Sequence, residues 1–339
     1  MNEAKPNATM PAAAHTDILA VCGIALDVVA KVDHLPVLDG FCSVLSTQRQ
    51  YGGGGMNVLM QASRIGVRTG IVTKLANDAD SDFLIANMDK LGIDHRGVVR
   101  RPGDYKAPTC LIYVDPEGRK MMVGDMERLP GPIVESEFPF DLIAQTDVVY
   151  LDFNPAPLTP MIAETAKRQG KTVVLNFQDG LDSVTGRGIT AQQTLDMLRY
   201  VDVFAPCQEA IRALSGTDDV DGQLAFIRQY HRGLVVLTLG ERGVVAFDEQ
   251  DRRTEIPAYG IDPVDTTGAG DSFIGAFMTE YLVRRHPLAQ SLRYATACAA
   301  LTCTKLGAQS SPTAGQVDAF IAERGLPGVA EPSREEARA

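Results

Sequence analysis

The sequence contains no tryptophan, and only 6% of its 339 residues are aromatic. It also lacks a run of basic residues, and 43 acidic side chains against 32 basic ones give a formal charge of −11. Proteins that bind nucleic acids carry clustered lysine and arginine, so we expect no nucleic-acid partner. No apolar stretch approaches the roughly 20 residues of a membrane-spanning helix, so we expect no membrane partner either.

The six cysteines are scattered and form no C-x-x-C pair, which argues against a zinc site or a disulfide framework. Reduced thiols are typical of the cytoplasm, which is the expected location. The first residues are rich in Ala, Pro and Asn and lack the apolar core of a secretory signal. We predict that 1–15 and 327–339 are disordered tails on either side of a folded domain over 16–326.

Short apolar runs alternate with helical patterns from residue 141 onward. This alternation is typical of a parallel sheet that is covered by helices on both faces. Two strand-like segments interrupt the pattern, near 32–51 and 107–125. We therefore predict an α/β fold, with a three-layer α/β/α domain around a mostly parallel central sheet and a small β-sheet lid. Ligands of such folds bind at the carboxyl ends of the strands, and the lid would cover that edge.

The most specific motif is Asp265-Thr-Thr-Gly-Ala-Gly-Asp-Ser-Phe273, which stands before a long apolar helix. Its three small residues allow backbone N–H groups to approach a phosphate, and the helix N-terminus adds partial positive charge. Asp271 then lies beside the bound anion, where its carboxylate can accept the proton of an attacking hydroxyl. Taken alone, the motif also fits a helix cap that follows a tight turn.

Two motifs together resemble the ribokinase/PfkB family of carbohydrate and nucleoside kinases. Asp265–Phe273 is similar to the C-terminal signature of that family, and Tyr51-Gly-Gly-Gly-Gly-Met-Asn57 is similar to its N-terminal Gly-Gly-x-Gly-x-Asn segment. The resemblance covers about 17–324 and implies a ribokinase-like fold with ATP as the phosphoryl donor. It also implies that Asp271 is the catalytic base. The residues of the implied anion hole are Gly268, Ala269 and Gly270.

The resemblance further implies which residues bind the substrate and the nucleotide. The substrate residues are Asp27, Gly53, Gly54 and Asn57, and the two glycines also suit a hinge of the lid. The nucleotide residues are Thr238, Gly240, Gly243, Thr266 and Thr267. Asp265 and Thr267 align with positions that are linked to monovalent cations in many relatives. K⁺ at Asp265 is therefore a candidate cofactor beside ATP and Mg²⁺.

One segment departs from the family pattern. The Asn-x-x-Glu segment that organises Mg²⁺, water and phosphate in the family corresponds here to Cys207 and Ala210. Glu209 is the remaining candidate metal residue, although a shift of one residue turns a helical side chain by about 100°. Altered metal dependence is therefore one alternative, and a catalytically weak sugar or nucleotide sensor with the same fold is another.

The predicted reaction is phosphoryl transfer from ATP to a hydroxyl, a primary alcohol, of a small sugar. Gly54 replaces a lysine that is common in ribokinase-like sequences, which favours a neutral sugar. A sugar phosphate and a nucleoside remain alternatives. Four basic residues are candidates for a phosphate clamp: Lys31, Arg49, Arg100 and Lys106. Exposed lid strands favour a homodimer through the lid, because a second copy would cover their edges.

Overall fold

The structure is a computed structural model, and it describes residues 15–178 and 180–325. The predicted tails, 1–15 and 327–339, lie outside these ranges except for His15. Among the described residues, no helix has both the length and the apolar character that are needed to cross a lipid bilayer.

Thirteen strands form two sheets in the described part of the chain. They are β1 (Thr16–Val21), β2 (Ala25–Val32), β3 (Val44–Gly52), β4 (Thr69–Ala76), β5 (Asp94–Arg101), β6 (Thr109–Val114), β7 (Lys120–Asp125), β8 (Thr146–Leu151), β9 (Thr172–Phe177), β10 (Val203–Pro206), β11 (Leu234–Thr238), β12 (Val244–Phe247) and β13 (Arg253–Ile256). The larger sheet has the order β13-β12-β11-β10-β9-β8-β1-β4-β5. Its strands are parallel from β5 to β11, and β12 and β13 are antiparallel to their neighbours.

The helices cover both faces of the larger sheet. They are α1 (Gly54–Arg64), α2 (Ala79–Leu91), α3 (Asp141–Ala144), α4 (Thr159–Arg168), α5 (Leu181–Gly186), α6 (Ala191–Met197), α7 (Gln208–Ser215), α8 (Val220–Ile227), α9 (Ala269–Phe277), α10 (Leu288–Cys303) and α11 (Ala314–Arg324). Successive residues of β1 belong to two different hydrophobic cores. Ile18 belongs to the core that includes α1, α9 and α10, and Leu19 belongs to the core that includes α4, α6 and α7. The predicted three-layer α/β/α fold is therefore confirmed.

The lid is the smaller sheet, with the order β3-β2-β6-β7. The first lid segment was predicted near 32–51, but the first strand of the lid already begins at Ala25. Only Cys22–Ile24 separate this strand from β1. Asp27 consequently belongs to the lid itself, and it pairs in register with Gln50 of β3. The second hairpin, β6 and β7, occupies the segment near 107–125.

Two strands at the edges of the larger sheet were not predicted. β5 reads DHRGVVRR and β13 reads RTEI, so neither contains the long apolar run that indicates a buried strand. Charged side chains are common on edge strands, where they discourage pairing with other chains. These charged residues interrupt the apolar run, and the hydrophobic pattern therefore does not indicate the two strands.

Candidate active site

A cavity of about 800 Å³ lies between the lid and the carboxyl ends of β1, β8 and β9. Its polar lining includes Asp152 and Asn154 after β8, and Asn176 and Gln178 at the end of β9. Asp271 lines the same cavity from the first turn of α9. This edge is where open α/β sheets bind ligands, and the cavity therefore lies where the fold predicts a site.

The glycine-rich turn leads directly into α9. Gly268 has a φ of 78°, a conformation that glycine adopts without strain. Ala269 donates its N–H to the carbonyl oxygen of Thr266 (3.2 Å), and the first helical hydrogen bond runs from Ser272 to Gly268 (2.8 Å). The N–H of Gly270 therefore lies in the first turn, where an α-helix offers no acceptor of its own. The turn thus combines this amide with the positive end of the helix dipole.

A buried polar network anchors the start of α9 to its neighbours. The hydroxyl of Ser272 donates to Gln61 Oε1 on α1 (2.5 Å) and accepts from Thr302 on α10 (2.9 Å). One turn later, Gly275 packs so closely that a Cβ there would lie 2.4 Å from the carbonyl oxygen of Val58. These contacts on two sides hold the helix start in one position relative to α1.

The structure brings the two family motifs together at Asp271. The Nδ2 of Asn57 donates to Asp271 Oδ2 over 2.9 Å, and a Cβ on Gly54 would lie 3.3 Å from Asp271 Oδ1. Gly53 has a φ of 97°, and a Cβ there would lie 2.7 Å from the carbonyl oxygen of Gly23. Glycine is therefore required at this position, and Asn57 contacts the predicted base directly.

Asp27 lies against the backbone that leads to these residues. A Cβ on Gly52 would lie 2.0 Å from Asp27 Oδ2, so only glycine leaves room for this carboxylate. Burial raises the pKa of Asp27 from 3.8 to about 6. Asp27 does not line the cavity itself, but Gly53 and Gly54, which follow Gly52, do.

The polar residues of the cavity that sequence analysis missed include Asp152 and Asn176. A Cβ on Gly55 would lie 3.0 Å from Asp152 Oδ2, which places this carboxylate beside the start of α1. The Nδ2 of Asn176 donates to the Tyr150 hydroxyl (2.8 Å), whereas its Oδ1 is buried without a partner among the described residues. Both follow apolar strand runs directly. A polar residue at the end of a buried strand was the available signal, although no motif marks either one.

Among the predicted nucleotide residues, Thr238 ends β11, whereas Thr266 and Thr267 lie in the loop before α9. A β-bridge joins Cys207 to Thr238, and the Cys207 thiol donates to the carbonyl oxygen of Gln178 over 3.6 Å. A Cβ on Gly270 would lie 3.0 Å from the amide group of Gln178. Gln178 therefore connects the anion-hole turn to the segment that departs from the family pattern. Gly240 and Gly243 lie in the turn between β11 and β12.

The segment at 207–210 offers little to a metal ion. The sulfur of Cys207 accepts the N–H of Ala210 (3.4 Å) and so caps α7, and Ala210 is fully buried. A thiol and a methyl group do not supply the oxygen ligands that Mg²⁺ prefers. Glu209 is exposed in the first turn of α7 and does not line the cavity.

Asp265 is held by donors from three parts of the chain. Its Oδ1 accepts the N–H (2.9 Å) and the hydroxyl (2.6 Å) of Thr267, and its Oδ2 accepts the N–H of Gly307 (2.9 Å). Lys120 of the lid places its Nζ 3.2 Å from Oδ1 and also contacts the hydroxyl of Thr267. Burial alone would raise the pKa of Asp265, but these hydrogen bonds and the Lys120 charge outweigh it and lower the pKa.

Known proteins match the chain over most of its length. A family model described as pfkB family carbohydrate kinase matches residues 16–314. An ATP-dependent ribose-1-phosphate kinase from Halopiger xanaduensis is 28% identical over 91% of this chain and 98% of its own. A probable fructokinase-4 from Arabidopsis thaliana is 30% identical over 80% and 87%. A ribokinase structure from Thermotoga maritima is 26% identical, with a TM-score of 0.76 over 91% of this chain and 99% of that one.

Proposed function

Because the chain belongs to the pfkB family of carbohydrate kinases, we propose that it transfers the terminal phosphoryl group of ATP to a hydroxyl of a small sugar. The observation that carries this proposal is Asp271, which lines the cavity from the first turn of α9 while Asn57 holds one of its carboxylate oxygens. Similarity to an ATP-dependent kinase supports ATP as the donor.

The proposed mechanism uses Asp271 as a general base. Its carboxylate accepts the proton of the sugar hydroxyl as that oxygen forms a bond to the terminal phosphorus, and the bond from this phosphorus to ADP breaks. Negative charge on the transferred group is stabilised by the amide of Gly270 and by the positive end of α9, within the Gly268–Gly270 turn. Asn57 orients the base through the hydrogen bond to Oδ2.

We propose that the nucleotide lies along the turn between β11 and β12 and beside Thr266 and Thr267. Bound Mg²⁺ would neutralise the phosphate charge of ATP. Because the side chains of Cys207 and Ala210 supply no oxygen ligand, Mg²⁺ would be bound mainly by the ATP phosphates and water. Glu209 is the one carboxylate in that segment. We therefore expect a lower affinity for Mg²⁺ than an Asn-x-x-Glu segment would give.

A neutral sugar fits the charges of the cavity best. Among the described residues, two cationic side chains line the cavity. Lys74 is paired with Glu137 at 2.7 Å, and Arg187 donates its Nε to the carbonyl oxygen of Ser183 (3.2 Å). None of the four candidate clamp residues lines the cavity, and three of them contact acidic partners: Arg49 with Asp80, Arg100 with Asp82 and Lys106 with Glu127. A sugar phosphate is the second candidate, because one relative is named for ribose 1-phosphate.

Hydroxyl groups of the sugar would find several acceptors around the cavity. The Oδ1 of Asn176 is buried at the cavity wall and has no hydrogen-bond partner among the described residues. A buried oxygen without a partner is costly unless a ligand supplies a donor. We propose that Asn176 and Asp152 accept hydroxyl hydrogens of the sugar from the cavity wall, and that Asp27, which lies in the lid just outside that wall, accepts a further one once the lid closes over the sugar. The volume of about 800 Å³ is within the range of small-molecule sites and leaves room for the phosphate end of the nucleotide.

A panel of acceptors tests the proposal. The wild-type protein would be incubated with ATP, Mg²⁺ and one compound at a time, and the phosphorylated product would be identified by mass spectrometry. The panel holds ribose, fructose, 2-keto-3-deoxygluconate, fructose 6-phosphate, ribose 1-phosphate, adenosine, inosine, uridine and pseudouridine. We expect turnover on a neutral sugar. Exclusive turnover on the phosphorylated sugars would contradict the neutral-sugar assignment, and turnover on none of the compounds while ATP binds would favour a sensor.

We also propose that the chain forms a homodimer through the lid in the cytoplasm. The outer strands of the lid expose large apolar side chains, including Leu45 (64% exposed) and Met122 (61%). A second copy would cover both, since unpaired strand edges favour such pairing. All six cysteines are free thiols, as a reducing compartment allows. Sedimentation velocity of the wild type and of Leu45→Glu tests the dimer, which the charged side chain should dissociate.

A further inference from the structure

Lys120 joins the lid to the loop that leads into α9. It begins β7, an outer strand of the lid, yet its Nζ lies 3.2 Å from Oδ1 of Asp265, which is 145 residues further along the chain. It also contacts the hydroxyl of Thr267, directly before the anion-hole turn. The turn before β7 packs against the same loop, since a Cβ on Gly118 would be 3.6 Å from the carbonyl oxygen of Val264.

The other lid hairpin contacts the second partner of Asp265. Gly307, whose N–H binds Asp265 Oδ2, lies so near the lid that a Cβ there would be 3.2 Å from Gln50 Oε1. Two residues later, Gln309 donates to the carbonyl oxygen of Tyr51 over 2.9 Å. Both hairpins of the lid therefore lie against segments that converge on the Asp265 carboxylate.

The residues around Asp265 do not fit a free K⁺ ion. The Asp265 carboxylate accepts the N–H groups of Thr267 and Gly307 and needs a cation to balance its charge. That cation is already part of the protein, because Lys120 binds both Asp265 Oδ1 and the hydroxyl of Thr267. A K⁺ ion at these two oxygens would have to displace an ammonium group that carries the same charge.

We propose that Lys120 is a positioning residue whose ammonium group takes the place of a free monovalent cation at Asp265 and fastens the lid to the anion-hole loop. Nucleotide binding then needs no K⁺, in contrast to the candidate K⁺ site that the family resemblance implies. Release of this contact when the lid opens also loosens the turn from Thr266 to Gly270. The inference rests on the proposed function, because it assigns that turn to the phosphates of ATP.

The test compares Lys120→Met with Lys120→Arg and with Lys167→Met as a matched control. Lys167 is also a partly exposed lysine in an ion pair, with Asp202, and it lies on α4 away from the lid. The dissociation constant of a fluorescent ATP analogue and the turnover rate would be measured in KCl and in tetramethylammonium chloride at equal ionic strength. We expect Lys120→Met to weaken nucleotide binding about five- to tenfold in tetramethylammonium and to recover partly in KCl. The wild type, Lys120→Arg and Lys167→Met should bind the nucleotide with equal affinity in both salts.

Three results would overturn the proposal. They are a saturable stimulation of the wild type by K⁺, equal nucleotide affinity of Lys120→Met and wild type, and a defect of Lys120→Met that K⁺ does not relieve. Thermal unfolding of each variant shows whether a defect reflects loss of folding. Because nucleotide affinity is measured without a sugar, the proposal on Lys120 can hold even if the sugar kinase activity is absent, and the two failures are therefore distinguishable.

Discussion

Acidification from pH 7 to pH 5 should weaken sugar binding through Asp27. Burial against Gly52 in the lid raises the pKa of this carboxyl from 3.8 to about 6, so it changes charge within this range. The ionised form accepts two hydroxyl hydrogens, whereas the protonated form loses part of that capacity. With a pKa of about 6, the ionised fraction falls from about 90% at pH 7 to about 10% at pH 5. If only the carboxylate binds the sugar, the KM for the sugar rises about tenfold over this range.

The same pKa shift predicts an opposite effect on stability. A carboxyl whose folded pKa is raised stabilises the fold below its unfolded pKa of 3.8, and this contribution is lost as the pH rises through about 6. The ionised Asp27 therefore destabilises the fold at neutral pH. We expect Asp27→Asn to unfold at a higher temperature than the wild type at pH 7, although it binds sugar more weakly.

The assay measures the sugar KM at saturating ATP from pH 5 to pH 8, with kcat reported separately so that an effect on the chemical step is not counted as weaker sugar binding. Asp27→Asn is the control, since it keeps the shape of the side chain and removes the titration. We expect the KM of this variant to stay constant across the range. A wild-type KM that does not change with pH, or an unchanged pH dependence in the variant, would refute the role of Asp27.

Three further substitutions test other parts of the account. Asn57→Leu removes a hydrogen bond to a charged group, worth about 1.5–3 kcal/mol, so we expect kcat/KM to fall about ten- to hundredfold, mainly through kcat; steady-state kinetics that match the wild type would contradict this. Gly275→Ala places a Cβ 2.4 Å from the carbonyl oxygen of Val58 and should destabilise the fold by about 1–3 kcal/mol in thermal unfolding, whereas Gly315→Ala meets no atom within 4 Å and should not. Equal melting temperatures of these two variants would count against the close packing of α1 and α9. Cys207→Asn should stabilise α7 by up to about 1 kcal/mol, because asparagine is a better helix cap. It should also lower the Mg²⁺ concentration for half-maximal activity, since it adds an oxygen ligand, and an unchanged Mg²⁺ titration would refute this role of position 207.

Local patterns were enough to predict the framework of the site. The glycines of Asp265–Phe273 and the apolar run behind them predict a helix start with an anion-binding turn, and α9 begins at Ala269 as expected. The second motif lies where the lid strand β3 ends and α1 begins, at Gly52 and Gly54. These features depend on neighbouring residues, which is why a single sequence reveals them.

Features that depend on distant residues could not be predicted in the same way. Lys120 reads as an ordinary surface lysine in its hairpin, and only the packing of the lid brings it to Asp265. Asp152 becomes part of the site because β8 lies next to β1 in the sheet. The raised pKa of Asp27 likewise arises from burial in the lid, which the sequence around it does not indicate.

The most direct test of the central claim is the rate of sugar phosphorylation by Asp271→Asn, measured together with its affinity for ATP. Asparagine keeps the size of the side chain and its contact with Asn57 but cannot accept the proton. The account predicts that kcat falls about 10²- to 10⁴-fold while ATP binds with nearly unchanged affinity. Full turnover by this variant on the true substrate would contradict the assignment of Asp271 as the catalytic base.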